Sequence, residues 1–283
     1  KVGGDEATAT FDGTTAQTIT GSILGAVAGD GAISVTNTAG TVTFASALGA
    51  TKLGSVTLAA STTTVFDSTL SSATLSASGA MTLKGAVTLT GVLTTGNGST
   101  ITLGTAFKDG GATAITAADS TGTGGINQTG GAVTVNVSNQ FTTGTVVLLE
   151  NTTALDANDL AAFTVTDTAL VDYTLASATG TAALSQITIT AAKRTTAGIA
   201  TYLGMSTAQS AALGQISAAV ASGDATASTA LDTVLVTGGS TAVNAAEQLN
   251  SDAGAAMGAA MAVTGGVNNV IAGRQADTRV AFN

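Results

Sequence analysis

The sequence predicts a mainly β protein, a right-handed parallel β-solenoid (β-helix) with a C-terminal α-helical tail. Up to about residue 195, short runs of alternating apolar and Thr or Ser residues recur roughly every 7–12 residues, as in strands with one buried face. Gly, Asn and Asp fill the gaps, as tight turns require. Of the 55 Thr, 46 lie at or before Thr196, and the remainder of the chain is rich in Ala. Because Thr favours strands and Ala favours helices, this change indicates a β part followed by a helical part.

The strand-like runs favour a solenoid over a β-sandwich. They are short, and their inward positions carry aliphatic residues of similar size, which suits the stacking of successive coils. Aromatic residues make up only 3% of the chain, whereas a sandwich of this size normally buries several. The clearest runs are 32–36, 41–44, 55–58, 63–66, 73–75, 81–83, 86–89, 100–103 and 132–135.

These patterns divide the chain into four predicted segments. Residues 1–145 are expected to form the solenoid, and 146–194 its C-terminal β cap, where continuous aliphatic runs and aromatic residues return. Short helices are expected over 195–250, beginning near the capping-box pattern STAQ at 206–209. Residues 251–283 are expected to form a last, longer helix.

Missing residue types exclude several classes of function. The chain has no Pro, Cys, His or Trp and carries a net charge of −9. Disulfides, Cys/His zinc sites and His-dependent nucleophilic catalysis are therefore excluded, and the negative charge disfavours a nucleic-acid partner. No apolar run is long enough for a spanning helix. No basic-then-apolar leader is present, so Lys1 is interpreted as the start of a mature or ordered fragment.

The C-terminal half resembles the end of an autotransporter (type V secretion) passenger, where the passenger meets its outer-membrane barrel. Four segments carry the resemblance: the strands 173–175 and 187–194, the helical stretch 218–232, the element AAEQLNSDA at 245–253, and the last helix ending in GRQADTR at 273–279. Over 1–139 the likeness lies in composition and strand rhythm, which are similar to those of large surface antigens of rickettsiae and other alphaproteobacteria.

The resemblance implies a passenger that is exported through the barrel of its own precursor and displayed on the surface of a Gram-negative cell. It also implies that the last helix, 251–283, is a linker helix leading toward that outer-membrane barrel. Asn268 and Asn269 look like the Asn-Asn cleavage element of some serine-protease autotransporters, and Asn283 would also suit cleavage after Asn. An asparagine pair on a helix face is the simpler interpretation of the first two. The resemblance implies no cofactor.

Few residues indicate a binding site, and no catalytic residue is predicted. Asp156, Asn158 and Asp159 form an oxygen-rich group that could hold Ca²⁺, although a turn or a helix N-cap is the simpler interpretation. The basic doublet Lys193–Arg194 could contact lipid headgroups or the barrel mouth, or could be a solvated strand end. Outward threonine ladders could order water or carry sugars, or could be ordinary solvated strand positions.

The predicted function is that of a non-catalytic, secreted cell-surface protein. It would be either a structural building block of a surface layer, filament or matrix, with self-association into a homo-oligomer or polymer, or an adhesin. The alternative is a β-helical subunit like that of a phage tail fibre, which would be an obligate trimer. A β-helical carbohydrate-active enzyme is disfavoured, because no carboxylate pair lies beside a basic or aromatic subsite.

Overall fold

A computed structural model describes residues 7–107, 112–118, 126–129, 132–137, 143–152, 155, 157–179, 185–211 and 213–214. Within these ranges the protein is mainly β, as the alternating runs predict. The chain divides into two compact units, Lys1–Lys193 and Arg194–Asn283. All the described strands lie in the first unit.

The described elements are short strands separated by turns, with short helical segments. The strands are β1 (Thr8–Phe11), β2 (Gln17–Ile19), β3 (Asp30–Val35), β4 (Thr41–Phe44), β5 (Leu48–Leu58), β6 (Thr63–Phe66), β7 (Leu70–Ala77), β8 (Ala80–Leu83), β9 (Val87–Leu89), β10 (Leu93–Gly96), β11 (Thr100–Leu103), β12 (Ile115–Ala117), β13 (Ile126–Thr129), β14 (Val133–Val137), β15 (Gly144–Asn151), β16 (Phe163–Val165), β17 (Val171–Thr179) and β18 (Ser185–Lys193). Helices α1 (Ala157–Ala161) and α2 (Thr196–Tyr202) follow, and Thr105–Phe107 forms a 3₁₀ turn. Residues 207–211 and 213–214 are helical as well.

Consecutive strands are divided between two sheets. The smaller sheet has the order β16-β14-β11-β8-β6-β4-β2, and all its neighbours pair in parallel. The larger sheet follows the order β1-β3-β5-β7-β9-β12-β15-β18-β17, and β10 joins it by pairing with β7 and β13. Since parallel neighbours cannot be joined by a tight hairpin, the chain crosses between sheets before it returns to each one. The predicted mainly β fold with parallel sheets is confirmed.

The larger sheet branches at β7. Its first part, from Leu70 to Ser72, pairs with β9, whereas the part from Leu75 to Ala77 pairs with β10. A register shift between Leu48 and Leu53 divides β5 in the same way. The described strands therefore stack in three ladders, two within the larger sheet and one that forms the smaller sheet.

Stacked apolar side chains form the core of the first unit. In the smaller sheet Phe44 lies in register with Phe66, and Leu83 and Leu103 continue the same column. Each of these four side chains is at most 1% exposed. The Phe44 ring stacks on Phe66 with centroids 5.6 Å apart, and Phe11 meets it edge to face at 5.1 Å. Burial of such a side chain stabilises the fold by about 1.5–3 kcal/mol.

Asn37 and Gly49 each fix the backbone locally beside these ladders. Asn37 is fully buried, and its amide Nδ2 donates to the Thr15 carbonyl at 2.7 Å while its Oδ1 accepts from the backbone of Gly40 at 2.9 Å. Gly49 has a φ of +74°, and a Cβ at this position would overlap the carbonyl oxygen of Ser71 in the neighbouring strand. Only glycine tolerates both this positive φ and this close approach of the neighbouring backbone.

The last described strands of the first unit differ from the rest because they pair antiparallel. β18 pairs with β15 over Gly144–Asn151 and with β17 over Val171–Thr179. β17 and β18 lie in the segment 146–194 that was expected to form a β cap distinct from the solenoid, and the short connection between the two strands allows only a hairpin. The hairpin covers the edge of β15, an edge that would otherwise be open to pairing with another chain.

The described part of the second unit begins with α2, where the Thr195 side chain accepts a hydrogen bond from the Gly198 amide. The predicted capping box is confirmed: the Ser206 amide donates to Gln209 Oε1 at 2.7 Å and the Gln209 amide donates to Ser206 Oγ at 3.3 Å. The helices predicted beyond residue 214 lie outside the described residues. In the part of the chain that the structure describes, no helix is both long and apolar enough to cross a membrane.

Candidate functional site

The outward side chains of the smaller sheet form two parallel columns, which we call the threonine face. Nine of its twelve positions are Thr, and they follow the strand register. The first column is Thr41, Thr63, Ala80, Thr100, Thr134 and Thr164. The second column is Thr18, Thr43, Val65, Thr82, Thr102 and Asn136.

The threonine face results from a simple local pattern. In β4 and β11 the sequence is Thr-apolar-Thr, and the middle residues, Val42 and Ile101, are at most 1% exposed. Because side chains alternate between the two faces of a strand, a buried middle residue places both threonines outward. Thr is β-branched and has restricted χ1 rotation, so each hydroxyl and methyl group has a well-defined position.

The threonine face is uncharged at all twelve positions. Of its nine hydroxyls, only that of Thr164 makes a hydrogen bond within the described residues, donating to the Val133 carbonyl at 3.4 Å. The nearest turns carry Asp67 and Lys84, whose charges pair with each other at 2.7 Å. The face therefore presents polar groups that are free to bond to solvent or to a ligand.

A separate pocket of about 180 Å³ lies near the hairpin of β17 and β18. Among the described residues its lining consists of Leu155, Ser177, Ala178, Ser185 and Gln186, none of which is ionisable. Gln186 Nε2 donates to Glu150 Oε2 at 2.5 Å. Among the described residues, the Glu150 carboxylate that accepts this hydrogen bond belongs to no group of three or more acidic side chains.

Tyr173 is a buried titratable group on β17, only 4% exposed. Burial, and secondly the negative charge of Asp167, raises the pKa of its phenol above the usual value. The Tyr173 backbone amide donates to Asp167 Oδ1 at 2.9 Å. A phenol with a raised pKa keeps its proton at neutral pH and cannot act as a base there.

The predicted calcium ligands are only partly within the described structure. Asp156 lies outside the described residues, as does the side chain of Asn158. Asp159 lies in the first turn of α1 and is 7% exposed, which fits the helix interpretation. Among the described residues no group of three acidic side chains comes together, and the calcium site stays a prediction.

The other predicted residues fall into two groups. Lys193 ends β18 and is exposed, whereas the Arg194 guanidinium lies over the Tyr202 ring, 4.7 Å from its centroid. Asn268, Asn269 and Asn283, the candidate processing residues, lie outside the described residues.

Sequence reasoning missed the in-register arrangement of the threonine face and the buried hydroxyl of Thr64, which has no hydrogen-bond partner among the described residues. Thr-apolar-Thr triplets in strands of the same sheet were the available signal for the face, but the sequence does not state which strands pair. Comparison of the chain with protein-family models, with curated proteins and with solved structures finds no match.

Proposed function

We propose that the chain is part of an autotransporter passenger, a right-handed parallel β-solenoid displayed on a bacterial cell surface as a non-catalytic structural building block or adhesin. The observation that carries this proposal is the pairing pattern, in which consecutive strands such as β4, β5 and β6 join alternate sheets in parallel. A chain that repeats this pattern winds into coils, and parallel crossovers are right-handed in almost all proteins.

Two further features support a structural role. The chain lacks histidine and cysteine altogether, and the threonine face carries no charge. The segments at 173–194 and 218–279 add the resemblance to autotransporters. In this proposal the partners are other copies of the chain and the outer-membrane barrel of the same precursor, and nucleic acid is not a partner.

Surface display is tested on intact cells that produce the full precursor. An antibody raised against the purified chain should label intact cells, and externally added protease should remove the signal while a periplasmic marker protein remains protected. The gene should also encode alternating strands of about ten residues beyond Asn283, as a barrel requires. Labelling that appears only after the outer membrane is permeabilised would contradict surface display.

The structural role is tested separately with the purified chain. Sedimentation velocity and electron microscopy should show filaments or sheets if the chain is a building block, and separate monomers if it is an adhesin. A stable, discrete trimer would instead support the tail-fibre alternative.

A further inference from the structure

We propose that the threonine face is an ice-binding surface, which orders a layer of water into the lattice of ice and attaches the protein to growing ice crystals. The ligand is crystalline water. This inference rests on the geometry of the smaller sheet and does not depend on how or where the protein is displayed.

The spacing of the hydroxyls is regular in two directions. Parallel strands in register lie about 4.8 Å apart, which sets the distance between neighbours in one column, such as Thr82 and Thr102. Alternate residues of one strand, such as Thr100 and Thr102, lie about 6.6 Å apart. Oxygen atoms on the prism face of hexagonal ice also repeat along two perpendicular directions, at a shorter and a longer distance. The spacing within a column is close to the shorter repeat and the distance between columns is somewhat less than the longer one, so a water layer two columns wide can follow both.

Each threonine supplies the two groups that such a layer needs. Its hydroxyl is one donor and an acceptor of two hydrogen bonds, and eight of the nine hydroxyls make no hydrogen bond to another described residue. Its methyl group cannot hydrogen-bond, so water around it must bond to other water molecules and becomes ordered. A serine would lack the methyl group, and a valine would lack the hydroxyl.

The surface is also rigid before it binds. The columns rest on a packed core in which Phe44 and Phe66 stack directly beneath adjacent strands. Restricted χ1 rotation holds the Thr side chains, so little entropy is lost when ice adsorbs. Charged side chains, which keep their own hydration shells, are absent from all twelve positions.

The larger sheet offers a control surface in the same molecule. The outward column of its β1–β10 ladder alternates Thr with Ser: Thr10, Ser34, Thr57, Ser76 and Thr94. The methyl groups are therefore missing at every second strand. We expect this column to bind ice less well than the threonine face.

The test compares one substitution on the two surfaces of the full 283-residue chain. Thr82→Tyr places a large ring in the middle of the threonine face, and Thr57→Tyr places the same ring on the control surface. Tyrosine favours strands, and unchanged circular dichroism and melting temperature establish that both variants fold. The measurement is thermal hysteresis, the gap between the melting and freezing points of a small ice crystal, together with the shape of the crystal.

The unchanged chain should show thermal hysteresis and faceted ice crystals. Thr82→Tyr should decrease the hysteresis several-fold, whereas Thr57→Tyr should leave it unchanged. Val65→Thr, which adds the missing hydroxyl to the second column, should increase it. Absence of hysteresis in the unchanged chain, or equal loss in both tyrosine variants, would overturn the proposal. Loss of hysteresis in Thr57→Tyr alone would also overturn the proposal, because the outward column of the larger sheet would then be the ice-binding surface.

Discussion

Replacing Phe44 by alanine removes the central ring of a three-ring cluster. Phe44 is 0% exposed and contacts Phe11 at 5.1 Å and Phe66 at 5.6 Å between centroids. It also lies in register between Ile19 and Phe66 in the smaller sheet. The substitution therefore creates a cavity that both neighbouring strands line.

Phe44→Ala should lower the free energy of unfolding by about 4 kcal/mol, because replacement of a buried Phe by Ala typically costs about 3–5 kcal/mol. Of this, the two ring pairs contribute about 1–3 kcal/mol, at about 0.5–1.5 kcal/mol each. Phe44→Leu keeps most of the apolar volume and should lose mainly the ring pairs, about 1–3 kcal/mol. Val65→Ala, an outward position next to the same column, should cost less than about 1 kcal/mol.

Urea unfolding followed by circular dichroism measures these differences as shifts of the midpoint at constant slope. The order of destabilisation should be Phe44→Ala, then Phe44→Leu, then Val65→Ala. If Phe44→Ala and Val65→Ala shifted the midpoint equally, the column would not be the packed core inferred from its burial. A changed slope for Phe44→Ala would indicate that only the neighbouring strands unfold, as nearest-neighbour stacking allows.

Three further changes test single interactions. Gly49→Ala should destabilise the fold by more than about 2 kcal/mol in thermal melts, because its Cβ would overlap the Ser71 carbonyl. Gly98 is the control: it has the same left-handed backbone but no atom within 4 Å of the added Cβ. Gly98→Ala should therefore cost only about 1–2 kcal/mol. Thr64→Val should stabilise the protein to urea by about 1 kcal/mol, because the Thr64 hydroxyl is buried without a partner in the described part of the chain; a loss of stability would show that the hydroxyl is satisfied. The raised pKa of Tyr173 means that stability is fully present below about pH 10 and falls as pH rises further, because the unfolded chain loses its phenolic proton first. Tyr173→Phe should flatten this part of the pH–stability curve, and an unchanged slope would contradict the assignment.

The strands could be predicted from the sequence because their signal is local. Runs predicted at 41–44, 63–66 and 100–103 coincide with β4, β6 and β11. A period of two residues depends only on which side of one strand is buried. The same reasoning located the capping box at Ser206, where the hydrogen bonds span only three residues.

The partners of each strand could not be predicted, because the distance along the chain between neighbours is irregular. Phe44, Phe66, Leu83 and Leu103 share one column but are separated by 22, 17 and 20 residues. No fixed repeat marks these positions in the sequence. Threonine ladders could be proposed as a class of feature, but the threonine face required the register of seven strands.

The antiparallel hairpin of β17 and β18 gives the first unit a direction of folding. Its paired residues are separated by 6 residues at Thr179 and Ser185 and by 22 at Val171 and Lys193, whereas no pair in the smaller sheet is closer than 17 residues. Loop closure costs less entropy for nearby residues, and local contacts form sooner. We therefore expect folding to start at the carboxyl-terminal hairpin and to proceed toward the amino terminus.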